Sequence, residues 1–247
     1  MIRIDALDPE PPEGFQKKPT KKALKKLAKE IGKLSRILQA EGQRSLLVVL
    51  QGMDASGKDG VCREVFKYCS PAIVRSAAFK KPTPAELAHD FLWRVHPHVP
   101  AKGEIAVFIR SHYEDVLIQR VHRWIDEERV DARFRAINAF ERLLQEDNQT
   151  VILKFYLHLS YERQGEKLRE RMEDPRKYWK HNPADWKERE RWDDYMRCYE
   201  EVLNRSEIPW IVVPSNRRWY RNYFVATKVL ETLQQMQLRY PPLQQSQ

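Results

Sequence analysis

The stretch Gly52-Met53-Asp54-Ala55-Ser56-Gly57-Lys58-Asp59-Gly60 narrows the possible folds more than any other feature of the chain. It lies directly after the apolar run 46–50 and before a helix-patterned segment. The spacing G-x4-G-K between strand and helix is the P-loop pattern. Its glycines let backbone N–H groups converge on phosphate oxygens, and the helix N-terminus adds its positive dipole. Lys58 is placed to reach a transferred phosphate. Gly52, Met53, Ala55, Ser56, Gly57, Asp59 and Gly60 are the expected cradle positions around it.

One position departs from the pattern, because the Ser or Thr that normally follows the lysine and binds Mg²⁺ is Asp59. Another group must then hold the metal. Asp54 offers the hard carboxylate oxygen that Mg²⁺ prefers, and it could also orient or deprotonate a phosphate acceptor.

Around the loop, short apolar runs alternate with helical periodicity. Strands are expected at 46–50, 73–79, 105–109, 151–159 and 210–213, each too apolar for a half-exposed antiparallel strand. Helices are expected at 21–40, 58–68, 84–95, 113–124, 132–146, 162–172, 187–204 and 220–236. Such alternation implies an α/β protein with a parallel five-stranded sheet covered by helices on both faces. We read residues 1–20 as an extended N-terminal arm, 21–242 as one domain and 243–247 as a tail. In helix 21–40, Leu24, Leu27, Ile31, Leu34 and Leu38 form an apolar stripe with lysines on the opposite face.

Two further groups carry chemistry. Arg110-Ser111-His112-Tyr113-Glu114-Asp115 follows the third strand, and ligands in open α/β sheets sit beyond the carboxyl ends of strands, so this segment is expected to face the P-loop. Arg110 can clamp phosphate oxygens. Glu114 and Asp115 are candidates for the metal's surroundings or for activating the acceptor, Asp115 also as a metal carboxylate, and His112 and Tyr113 are expected binding positions. In the region 162–187, Arg163, Lys167 and Arg171 recur every four residues and share a helix face. This region reads as a mobile lid whose arginines close over phosphates, with Lys80 and Lys81 lining the same channel.

The remaining composition mostly excludes. With 44 basic against 35 acidic side chains the net charge is +9, which favours anionic partners. Three scattered cysteines form no disulfide framework, and seven dispersed histidines form no zinc cluster. The chain contains no apolar run of membrane-spanning length and no signal region, so a cytoplasmic protein without membrane contact is expected. Trp93, Trp192 and Trp210 sit in apolar settings that suggest core packing.

These residues resemble the polyphosphate kinase 2 family, from about residue 21 to Pro242. The likeness rests on the P-loop stretch, Phe79-Lys80-Lys81-Pro82-Thr83, Phe91-Leu92-Trp93-Arg94-Val95-His96, Arg110 to Asp115, and Asn216-Arg217-Arg218-Trp219-Tyr220-Arg221-Asn222. The resemblance implies a three-layer α/β/α P-loop kinase fold like thymidylate kinase with a helical lid, Mg²⁺ dependence, and polyphosphate as donor. It implies AMP and ADP as acceptors, ATP as a product and guanine nucleotides as further substrates. It carries catalytic roles onto Asp54, Lys58, Arg110, Asp115 and Arg171, and it implies a homodimer or homotetramer. One departure is Ile109, where the family usually has Asn. Two other readings share some of these features. An ATP-dependent nucleoside monophosphate kinase would have the same fold and loop, and a nucleic-acid-binding module with a degenerate P-loop would have the same charge. No nucleic acid is expected as partner, since no base-reading element is recognisable.

Overall fold

Five apolar runs become one parallel sheet in a computed structural model that describes residues 1–243. In chain order the elements are α1 (Lys17–Glu41), β1 (Ser45–Gln51), α2 (Lys58–Val65), β2 (Val74–Ala78), α3 (Pro84–Leu87), β3 (Ile105–Ile109), α4 (Ile118–Val121), α5 (Glu127–Glu146), β4 (Thr150–His158), α6 (Tyr161–Glu173), α7 (Ala184–Arg189), α8 (Trp192–Arg205), β5 (Trp210–Pro214) and α9 (Arg218–Gln235). The strand order is β2-β3-β1-β4-β5. β1 is therefore central, with the carboxyl ends of β3 and β4 on either side of the P-loop.

Alternation along β1 divides the core. Leu47 and Val49 face the layer built from α5 and α8, whereas Leu46, Val48 and Leu50 face α1, α2 and α9. Both faces of β1 are buried, which is what a central parallel strand requires and why its run is continuously apolar. The result is the expected three-layer α/β/α arrangement. Among the described residues no helix is long and apolar enough to cross a membrane.

Several local expectations are corrected. The edge strand β2 is not apolar on both faces: Arg75, Ser76 and Ala78 are exposed, because a strand with one neighbour has less to bury. α1 begins at Lys17, so the arm is shorter than expected. The arm is also docked, with Ile4 buried, Glu200 accepting from the Ile4 amide at 2.8 Å, and the Pro9 carbonyl accepting from Asn216 N–H at 3.0 Å. The tail lies outside the described residues except for Leu243.

The expected helix 84–95 stops at Leu87, because the Asp90 carboxylate accepts from the backbone N–H groups of Leu92 and Trp93 and starts a turn. Trp93 is exposed and stacks on His89, against the core role read for it. Residues 113–124 form a 3₁₀ turn (His112–Val116) and then α4, with Leu117 outside the helical region between them. Residues 187–204 divide into α7 and α8.

A polar network lies inside the α5 layer. Lys154 Nζ donates to Glu141 Oε2 and to the Tyr113 hydroxyl, each at 2.6 Å, and His112 Nε2 lies 3.2 Å from Glu141 Oε1. Lys154 and Glu141 are fully buried, and removing one partner leaves the other charge unpaired in a low-dielectric site. Glu141→Ala is expected to cost about 3–5 kcal/mol in urea denaturation, and the double change Glu141→Leu with Lys154→Met considerably less. A single-variant loss under about 1 kcal/mol would show that the pair does not hold α5 to the sheet.

Candidate active site

β1 ends at Gln51 and the chain turns through Gly52 into the loop. Gly52 adopts φ +144°, and a Cβ there would sit 2.7 Å from the Leu157 carbonyl oxygen. Gly57, at φ +94°, is tighter still, since a Cβ would meet the Arg221 guanidinium at 2.0 Å. The loop is thus wrapped on an arginine that only a side-chain-free residue lets approach. Ala55 and Arg110 also hold left-handed φ values, 64° and 61°, which cost a non-glycine residue about 1–3 kcal/mol and are retained where the surroundings enforce them.

Lys58 is buried beneath the loop, donating to the Gly52 carbonyl at 2.6 Å and the Met53 carbonyl at 3.2 Å. Burial, then the Arg110 charge, pushes its pKa down to about 8. Asp54 accepts from Arg110 across the mouth of the loop. Burial opposes the Asp54 charge, but Arg110 and Lys58 outweigh it and hold the carboxyl below its ordinary value. Glu114 lines a small recess that Asp54 and Arg110 also line, and there burial prevails over Arg110 and Lys58 and raises its pKa.

The lid region meets the loop directly. Ser160 caps α6 by accepting from Arg163 N–H. Further along the helix, Gln164 Nε2 donates to the Asp54 carbonyl at 3.2 Å and Lys167 Nζ to the Ala55 carbonyl at 3.4 Å. Arg171, two turns past Arg163 on the same face, donates to Asp185 Oδ2 at 2.5 Å and to the Lys180 carbonyl at 3.2 Å. Lys167 is pushed down to about 7 by burial, then by Arg221, Arg163 and Arg218.

Together these elements enclose a cleft of about 470 Å³ whose lining includes Asp54, Ala55, Gly57, Lys58, Asp59, Gly60, Lys80, Arg110, Arg163, Lys167 and Arg171. Met53 and Gly52 sit behind it, beside a small recess that Glu114 also lines. Ser56 is buried, and its carbonyl accepts from Arg221.

Four expected residues are placed elsewhere. His112 and Tyr113 turn into the core network of α5. Lys81 is exposed and does not line the cleft. Asp115 is buried against Arg94, which donates to it at 3.2 Å, with Arg133 at 4.0 Å and Gln119 also bonded. Burial outweighs those arginines and raises the Asp115 pKa. Because Arg94 also donates to the Lys80 carbonyl at 2.8 Å, Asp115 ties the loop after β2 to the loop after β3.

Arg221 was not among the expected site residues. It is 2% exposed, donates to the Ser56 carbonyl at 2.6 Å, and has its pKa lowered to about 9 by burial and by Arg218 and Arg63. Asn216, Arg218, Lys177 and Lys180 also line the cleft. The available signal was the dense run 216–222, which carries family likeness but no phosphate-loop spacing.

Residues 14–241 match the family model described as Polyphosphate kinase 2 (PPK2). A protein of Meiothermus ruber named AMP/ADP-polyphosphate phosphotransferase is 44% identical over 245 residues, covering 97% of this chain and 91% of its own length. An ADP-polyphosphate phosphotransferase of Rhodopseudomonas palustris is 36% identical, covering 88% and 80%. The crystal structure of polyphosphate kinase 2 from Arthrobacter aurescens TC1 superposes with a TM-score of 0.95 at 40% identity, over 99% of this chain and 89% of that one. The cation-lined P-loop cleft and these likenesses over nearly the whole length agree: the chain belongs to the polyphosphate kinase 2 family.

Proposed function

We propose that the cleft takes inorganic polyphosphate as donor and AMP or ADP as acceptor, with Mg²⁺, and moves one phosphoryl group between them reversibly. The observation that carries this reading is the lining: eleven cationic side chains and three carboxylates surround a single P-loop mouth. One nucleotide needs far fewer cations, whereas a polyanion matches such a lining. An ATP-driven monophosphate kinase leaves the excess unexplained, and a nucleic-acid module leaves the P-loop unexplained. The reading includes a homodimer or homotetramer acting in the cytoplasm.

In the forward direction the bond between the terminal phosphorus and its bridging oxygen breaks. That oxygen keeps the electron pair on a chain one phosphate shorter, and a terminal phosphate oxygen of the acceptor bonds to the transferred phosphorus. The attacking oxygen is already ionised near neutral pH, so no residue need remove a proton, and Asp54 is left to orient or bind. Lys58, Arg110 and Arg171 each now pair with a protein oxygen, and incoming phosphates compete for them. Released from these partners, the three cations can neutralise charge on the equatorial oxygens.

The Asp54 carboxylate, held ionised by Arg110 and Lys58, is the hard oxygen donor that Mg²⁺ prefers. No group of three or more His, Cys, Asp or Glu able to hold a metal exists among the described residues, so the ion would take most of its ligands from phosphates and water. Asp54, with Glu114 in the recess beside it, would hold the ion, which would supply positive charge to offset that of the phosphates. Placement favours Glu114 over Asp115 for this purpose.

Purified protein with Mg²⁺, polyphosphate and ADP or AMP, without ATP as donor, is expected to form the next higher phosphate. Transfer from ATP alone would refute the polyphosphate reading.

Asp54→Asn is expected to lower turnover by at least ~100-fold with donor binding retained, and Arg171→Ala by a similar factor. Arg169→Ala, on the exposed side of α6, is expected to be mild. Asp115→Asn should chiefly lower stability, so loss of turnover in a folded Asp115→Asn enzyme would return that carboxylate to the chemistry.

A pH effect follows from Lys58. Its lowered pKa means that the free enzyme loses this charge as pH rises through about 8, whereas bound phosphate favours the protonated form. The donor KM is expected to rise above about pH 8 while kcat at saturation persists to higher pH. A donor KM that stays flat to pH 9.5 would mean that Lys58 does not bind donor as a cation.

A further inference from the structure

A second cavity, of about 650 Å³, opens beside the P-loop cleft and shares Arg63, Arg163, Asn216 and Arg218 with it. Its other wall is the first part of α1, where Lys17, Lys21 and Lys25 recur every four residues and so present one face. Eight cationic residues and one carboxylate, Glu64, line the space. Glu64 is already engaged by Arg63 at 3.3 Å and Lys67 at 3.7 Å, and Arg217 by Glu10 at 2.8 Å. Lys17, Lys21, Lys25 and Arg218 make no ion pair among the described residues.

The apolar stripe of α1, with Leu24, Ile31 and Leu38 buried, docks the helix and needs none of these lysines. Bringing so many like charges to one concave surface raises the free energy of the empty protein, and a bound polyanion relieves it. The cavity holds no P-loop and no acidic metal position, so it is suited to binding and not to chemistry.

We infer that this cavity is a distal donor subsite, in which phosphates several units from the reacting end of the chain rest against the Lys17, Lys21, Lys25 face. The inference rests on the proposed polyphosphate donor and adds a chain-length preference to it. A donor long enough to leave the P-loop cleft past Arg63 and Arg218 gains the lysine contacts, while a donor of three phosphates stays within the first cleft.

The test compares the wild-type enzyme with the triple variant Lys17→Gln, Lys21→Gln, Lys25→Gln, all three being exposed positions that leave the stripe of α1 intact. With ADP as acceptor, the KM for long-chain polyphosphate is expected to rise about tenfold or more at low ionic strength, with kcat unchanged. The KM for tripolyphosphate is expected to stay within about twofold, because that donor does not reach the exchanged face. A control variant, Lys22→Gln, Lys26→Gln, Lys33→Gln, removes the same charge from positions outside the cavity and is expected to leave both constants unchanged. Equal effects of the two triple variants, equal effects on both donors, or no effect on the long donor would each overturn the subsite. If the wild-type enzyme used no polyphosphate of any length, the underlying functional reading would fail instead.

Discussion

Positive charge held under the phosphate loop, away from water and without enough carboxylates to balance it, is the constraint on which this structure turns. Lys58, Lys167 and Arg221 all have lowered pKa values, with burial the first cause in each case and neighbouring cations among the others. Such an arrangement costs folding free energy, and the sheet and its helices must supply it. The two apolar layers on β1 do so, with the α1 and α9 pairing prominent on one face and α5 and α8 on the other. In return the cleft meets a polyanion with its basic groups already in place.

The same economy explains why the functional cations make temporary internal partners. Arg110 rests on Asp54, Arg171 on Asp185, and Lys58 on the loop carbonyls. Arg221 differs, because its guanidinium is built into the loop through the Ser56 carbonyl and the space left by Gly57. It shapes the cradle as well as charging it. Asp115 serves the frame from the other side by joining Arg94, Arg133 and Gln119.

Legibility in the sequence followed the range of the interaction. The P-loop, Arg110 at the end of β3, and the comb of Arg163, Lys167 and Arg171 could be read because short-range spacing alone places them on one turn or one helix face. The buried strands could be read for a similar reason, except β2, whose edge position is a property of the sheet order and not of its own residues. The run from His112 to Asp115 could not be divided in advance. An extended Ser111 leads into a 3₁₀ turn, and adjacent residues there point in directions set by the packing of α5, sending His112 and Tyr113 to the core and Glu114 to the recess beside Asp54. The run 216–222 was visible, but the role of Arg221 within it was not, because it meets Ser56 from 165 positions away.

Calorimetric titration of the protein with long-chain polyphosphate at pH 8, in two buffers of different ionisation enthalpy, tests the central claim most directly. If buried cations await a polyanion, binding raises their pKa values and the complex takes up protons, so the observed heat differs between buffers with the sign of uptake. Equal heats in both buffers, or net proton release, would contradict the account.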